Sequence, residues 1–321
     1  MCKQKLLSAY ILLTLSALFW SGNFVMGRIV HTEIPPFTLA FFRWMLVIII
    51  LLPLNYSNMT KNFPEIRKHF ISLLVLSILG ITINSSFVYL GLNFTTVLNT
   101  SLIYATVPVL IILLSFILLG DSLSQYKIFG MLLSFIGAIF IISNGNLRTI
   151  SKIHYQLGDF FILIAVISWA FFSVIYKKMT IKISPFLFLL VTAIIGDIFL
   201  LPCMLLEQYI GHIAHYNFLI LSGVLYASLF ASVLAITYWN IGVRVAGPSV
   251  AAHFFNLLPL FGSILSMLFL GETMHWYQLF GGFFILLGVL LAAGEASVKS
   301  ILYKIRYYKS LNIDPPNPSI G

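Results

Sequence analysis

The stretches VPVLIILLSFILLGD (107–121) and LPLFGSILSMLFLGE (258–272) decide how this chain folds. Each is an apolar run with a proline in second place and Leu-Gly-acid at its end: Pro108 to Leu119-Gly120-Asp121, and Pro259 to Leu270-Gly271-Glu272, at an offset of 151. The same offset relates Tyr126, Phe129-Gly130 and Gly137 to Tyr277, Phe280-Gly281 and Gly288 downstream, and Gly91 to Gly242 upstream. Nearer the N-terminus the offset is 149, relating Trp20 to Trp169, Pro36-Phe37 to Pro185-Phe186 and Pro53 to Pro202. Two extra residues in the second half account for the change. An ordered set of matches like this is an internal repeat.

Both stretches are too apolar for a water-facing surface, and the whole chain agrees. Of its 321 residues 60% are hydrophobic and only 8% are charged, against roughly 25% charged in an ordinary soluble domain. A helix needs about 20 apolar residues to cross a bilayer core. Ten runs of that kind lie near 6–27, 36–54, 70–91, 96–119, 126–144, 157–177, 185–206, 217–242, 248–270 and 276–294. The first is too long, and lacks the small-x-small ending, for a cleaved signal peptide. The reading is an all-α integral membrane protein of ten transmembrane helices, with five-helix repeats at 6–144 and 157–294 and a tail at 295–321. Pro315, Pro316 and Pro318 mark that tail as a short disordered end.

Each repeat holds an odd number of spans, so the second must be inverted relative to the first, an arrangement that recurs among secondary transporters. With the N-terminus in the cytoplasm, inside segments hold Lys3, Lys5, Lys61, Arg67, Lys68, Lys127, Lys177, Lys178, Lys182, Arg244, Lys299, Lys304, Arg306 and Lys309. Outside segments hold Arg28, Arg148 and Lys152. Fourteen against three is the positive-inside pattern for both termini cytoplasmic, in a bacterial-type inner membrane. The net charge of +9 is thus membrane orientation rather than a nucleic-acid surface. Cys2 and Cys203 form neither a CxxC nor a Cys/His spacing, so no metal site or disulfide framework is expected.

Two five-helix halves, the first-helix segment Leu-Phe-Trp-Ser-Gly-Asn at 18–23, Arg43 in the second span, and the fourth-span endings together resemble the drug/metabolite transporter superfamily, specifically its EamA-type domain. The first half departs by carrying Gly120-Asp121 where that family usually shows Gly-Glu. The resemblance runs over roughly 8–294 and implies export or exchange of small metabolites, often amino acids and sometimes nucleotide-derived compounds.

The candidate site residues follow from what spans normally exclude. Pro108 and Pro259 each delete a helical hydrogen bond, freeing the carbonyls of Tyr104 and Phe255. Interrupted helices at matching positions of two halves point to a transporter's central site, though a packing kink is the plainer reading. Around them lie Asn99, Tyr104, His253 and Asn256. A membrane His suits proton coupling or simply a hydrogen bond between helices. Arg43 and Asp197, the only Arg and Asp well inside spans, sit at equal depth, which permits an ion pair, the favoured reading; the alternative is that Arg43 binds a substrate carboxylate. Trp20 and Trp169 lie too deep for an interfacial belt, and with Asn23, Ser173, Tyr89, Tyr238 and Trp239 they read as bundle packing or as cavity wall. Gly130/Gly137 and Gly281/Gly288 share helix faces and read as close-packing contacts.

HExxH, GxSxG, DDxxD and Walker A patterns are absent, which argues against a membrane enzyme. So is a TVGYG-like filter, which argues against a channel. The expectation is a cofactor-free secondary transporter whose partners are a small-molecule substrate and the bilayer, driven by proton coupling or exchange. Self-association stays open.

Overall fold

The computed structural model describes residues 2–30, 33–95, 100, 103–122, 124–146, 148, 156–211, 217–270 and 275–292. Asn99, the Gly271-Glu272 pair and the tail at 295–321 lie outside the described residues. The described residues are helical, without strands.

Helix α1 runs over Cys2–Val30, α2 over Pro36–Lys61, and a short helix, Phe63–Lys68, leads to α3 at Phe70–Phe94. Then come α4 (Val107–Leu119), α5 (Gln125–Ile142), α6 (Leu157–Lys178), α7 (Pro185–Tyr209) and α8 (Phe218–Ala246). Helix α9 is made of Pro248–Ala252, a 3-10 turn at His253–Asn256 and Leu257–Leu270, and α10 is Trp276–Ala292. Among the described residues, eight helices are long and apolar enough to cross a membrane, whereas α4 and α10 are apolar but shorter.

Local chemistry sets many of these limits. Pro36 and Pro185 occupy first helical positions, where their missing N–H groups cost nothing. Ser184 and Asn217 cap α7 and α8 by accepting from Leu187 N (3.2 Å) and Ile220 N (2.9 Å). Helix α4 ends at Gly120, whose φ of 69° is the left-handed conformation that favours glycine.

Exposure is inverted relative to a soluble protein. Ile198, Phe283 and Leu290 are more than 60% exposed, while Arg43, Asn55, Asn240, His253 and Asn256 are buried. A bundle solvated by lipid requires that pattern, because polar groups have partners only inside it.

Contacts recur between the halves. Leu13 of α1 packs over Gly242 of α8, and Ile162 of α6 packs over Gly91 of α3. Ser16 Oγ donates to the Ala235 carbonyl (2.9 Å), and at the equivalent crossing Asn84 Nδ2 donates to the Ala165 carbonyl (2.9 Å). In α5 and α10 the glycines meet backbone to backbone: a Cβ on Gly130 would stand 2.6 Å from the Gly288 carbonyl, and one on Gly137 would stand 2.5 Å from that of Gly281. Both α3 and α8 widen into a π-helical segment, at Ile78–Ile83 and Leu229–Leu234, again 151 residues apart.

Polar contacts tie the helix ends. At one end of the bundle the Glu207 carboxylate caps α2, accepting from Phe37 N (3.0 Å), Thr38 N (2.8 Å) and the Thr38 hydroxyl (2.9 Å). There too the Thr95 hydroxyl donates to Asp159 at the start of α6. At the other end the Ser249 hydroxyl donates to Asp121 (2.7 Å), and Lys177 Nζ donates to the Arg244 carbonyl (2.6 Å). The acid of the Leu-Gly-acid ending therefore joins α4 to the start of α9.

Candidate functional site in the centre of the bundle

Four helices contribute most of a central cavity of about 60 Å³. The wall includes Trp20 and Asn23 from α1, Arg43 and Trp44 from α2, Gly80, Asn84, Ser85 and Tyr89 from α3, and Trp169 from α6. Val88 of α3, Tyr104, Ile236, Phe255 and Leu258 complete it. At roughly 10–15 Å³ per water, this space holds about four waters or a small ligand group.

The aromatic side is a continuous cluster. Trp20 stands edge-on to Trp169 with centroids 5.3 Å apart and stacks on Phe255 at 5.2 Å. Trp239 touches Phe255 at 4.8 Å, and Trp169 stacks on Phe172 at 5.0 Å. Trp239 and Phe172 are not wall residues; they back the ones that are.

Arg43 dominates the polar side. Its Nε donates to Ser232 Oγ (2.6 Å), Nη1 to Tyr89 Oη (3.0 Å) and Nη2 to the Ala231 carbonyl (3.3 Å). Its guanidinium also lies 5.4 Å from the Trp44 ring centroid. All of these partners are neutral. Helices α2 and α7 do pack against each other, but the equal depth of Arg43 and Asp197 does not make them a pair: the only ion pair among the described residues is His69–Glu65. Asp197 is buried, and its Oδ1 has no hydrogen-bond partner. The π segment of α8 explains why Arg43 turns inward, since its widened backbone offers the Ala231 carbonyl and the Ser232 hydroxyl together.

The structure thus gathers Trp20, Asn23, Arg43, Tyr104 and Trp169 at the cavity and leaves other candidates outside it. Asn256 Nδ2 donates to Ser134 Oγ (2.7 Å), which joins α9 to α5. His253 is fully buried in the 3-10 turn, which packs on α4 and α5. Tyr238 sits half-buried beside Phe19, 6.3 Å between centroids. Pro108 and Pro259 each fall in the first turn of a helical segment, just after a turn at Ala105–Thr106 and the 3-10 turn respectively, so they start those segments rather than bend continuous helices. Phe255, in the 3-10 turn between His253 and Asn256, lines the cavity.

Sequence reading missed Asn84, Ser85 and Trp44. A signal existed for the first two, since Asn84-Ser85-Ser86 is a polar triplet inside an apolar span. Trp44 gave none; its Nε1 donates to Ser85 Oγ (2.9 Å), a partner set only by how α2 and α3 cross.

The sequence pattern of the EamA-like transporter family matches residues 7–143 and again 156–294. The chain is 27% identical over 291 residues to the uncharacterized transporter YyaM of Bacillus subtilis (strain 168), covering 91% of this chain and 95% of that one. It is 28% identical over 286 residues to an uncharacterized transporter of Archaeoglobus fulgidus, covering 89% and 97%. A protein of known crystal structure, 14% identical in sequence, shares the fold with a TM-score of 0.71 over 89% of this chain and 96% of that chain. A chain matched twice along nearly its whole length, and built from apolar helices around a buried polar cavity, belongs to the EamA-like transporter family and is a multi-pass membrane transporter of small molecules.

Proposed function

We propose that the protein is a secondary-active transporter that exports or exchanges amino acids or related small metabolites by alternating access. It has ten spans in two inverted five-helix repeats, residues 6–144 and 157–294. The observation that carries this reading is the exchange of contacts between the halves. Leu13 over Gly242 repeats as Ile162 over Gly91, the two π segments stand 151 residues apart, and Trp20 meets Trp169 beside the cavity. Halves that make equivalent contacts in opposite orientation can exchange conformations, opening one site to either side in turn.

The end that carries Asp121, Lys177, Arg244 and Ser249 is the cytoplasmic one in this reading, with both termini on that side and the charge distribution as support. Proton coupling or exchange drives the cycle, since the chain has no Walker A motif. Single cysteines near 150 and 310, in a Cys2→Ser, Cys203→Ser background, test orientation with an impermeant thiol reagent in intact cells. The expected result is labelling at 150 alone.

Counterflow in proteoliposomes loaded with a panel of amino acids and nucleotide-type metabolites tests the function. Saturable exchange that depends on trans substrate is expected. Flux that rises without saturation overturns the carrier in favour of a channel.

A further inference from the structure

Arg43 carries a charge that nothing described in the structure neutralises. It is 7% exposed, its three hydrogen-bond partners are two hydroxyls and one carbonyl, and the cavity wall contains no acidic residue. A buried charge without a counter-charge is costly. A guanidinium has five N–H groups. Three are spent, which leaves one on each terminal nitrogen.

Two further donors line the same space. Tyr89 Oη is used as an acceptor toward Arg43, so its own proton remains to be donated. Trp169 is 4% exposed, and its Nε1 has no hydrogen-bond partner. Its counterpart Trp20 shows what a satisfied indole does here, donating from Nε1 to the Ala231 carbonyl at 3.0 Å. A buried donor without an acceptor costs stability unless something supplies one.

We propose that this cavity binds the carboxylate of a small, singly charged anionic metabolite with an apolar body, with Arg43 as its charge partner and Tyr89 and Trp169 as flanking donors. The count of charges selects the class. One carboxylate balances one guanidinium, whereas a phosphate dianion leaves one negative charge uncompensated inside the bundle. An organic cation meets Arg43 with like charge and finds no acid on the wall. An amino acid brings a carboxylate but also an ammonium with no anionic partner, so the matched carboxylate without the amine binds more tightly. The Trp20, Trp169 and Phe255 rings receive the apolar body.

This proposal rests on the cavity being the transport site, and a binding measurement separates the two. The purified full chain in detergent is unfolded thermally with 4-methylpentanoate, L-leucine, isopentylamine or inorganic phosphate, the first three sharing one apolar body. The concentration dependence of the midpoint gives affinity. The order expected is 4-methylpentanoate, then leucine, with no shift from isopentylamine or phosphate. Arg43→Gln should abolish the shift. Should that variant fail to fold, Trp169→Phe keeps the ring, removes the donor and should weaken 4-methylpentanoate about tenfold or more.

A larger shift with leucine, the amine or phosphate overturns the proposal, as does no shift with 4-methylpentanoate or equal affinity in Trp169→Phe. Binding of 4-methylpentanoate without counterflow of any substrate overturns the transport reading alone.

Discussion

The π segment of α8 is crowded with polar bonds, while its counterpart in α3 is mostly packing. Around Leu229–Leu234, the Ala231 carbonyl accepts from both Trp20 and Arg43, and Ser232 accepts from Arg43 while donating to the Ala227 carbonyl. Just before that segment, Ser228 donates to the Arg43 carbonyl. Around Ile78–Ile83, Gly80 lies beneath the Phe172 ring and Ile81 lies against Gly196. Its polar links to other helices are Ser168 Oγ to the Leu79 carbonyl (2.5 Å) and Thr82 Oγ1 to the Gly196 carbonyl (3.0 Å). The residue 149 after Arg43 is Thr192, which bonds only within its own helix. Two halves with equivalent helix crossings therefore differ where a charge is held. The matched glycines serve packing in both halves, whereas Arg43 has no charged counterpart.

The largest effect should come from breaking a matched position. Gly130→Leu or Gly281→Leu puts a side chain against a facing backbone carbonyl that cannot retreat. Overpacking costs about 1–3 kcal/mol even among side chains, and here the obstacle is main chain. Membrane-inserted protein, read by immunoblot and size-exclusion profile, should fall severalfold. Normal amounts of either variant would show that α5 and α10 do not depend on that seam.

Breaking the unmatched charge should leave the fold standing and remove transport. In Arg43→Gln, exchange should fall about 10- to 100-fold, the worth of hydrogen bonds to a charged group, with expression near wild type. Loss of expression in parallel with transport would make Arg43 a packing residue and dissolve the distinction.

The two tryptophans sharpen the comparison further. Trp20→Phe removes a hydrogen bond that is made and should lower thermal stability by about 1 kcal/mol. Trp169→Phe removes a donor that has no partner and should leave ligand-free stability unchanged or slightly raised. Equal losses in both would mean that the indoles are equivalent.

The smallest effect is expected at Asn256→Ala. It breaks the bond to Ser134 between α9 and α5, so stability should drop by roughly 1 kcal/mol while KM for exchange stays unchanged. A raised KM would bring the Asn256 side chain back into the site.

Much of this was legible before any coordinates. Apolar length and the repeated Trp, Pro and Gly positions are local properties, and a bilayer leaves few structures able to satisfy them. The glycine spacing of seven on α5 and α10 announced close packing for the same reason: without side chains, nothing holds the helices apart.

What escaped is long-range. Equal depth made Arg43 and Asp197 a permitted pair, but depth fixes one coordinate, and the direction in which a guanidinium points depends on the rotation and crossing of several helices. The π segments carry no spacing signal, because one residue of extra winding is stabilised by neighbours rather than by its own sequence. Their presence turned the Ala231 carbonyl and Ser232 toward Arg43 and drew Asn84, Ser85 and Tyr89 into the cavity. His253 and Asn256 carried the right chemistry one helix face away from it. The sequence by itself determined that the chain forms apolar helices and that its halves repeat. Which polar groups meet in the centre was decided only by tertiary packing, because burial rewards any arrangement that satisfies polar atoms and only the full set of helix crossings selects one.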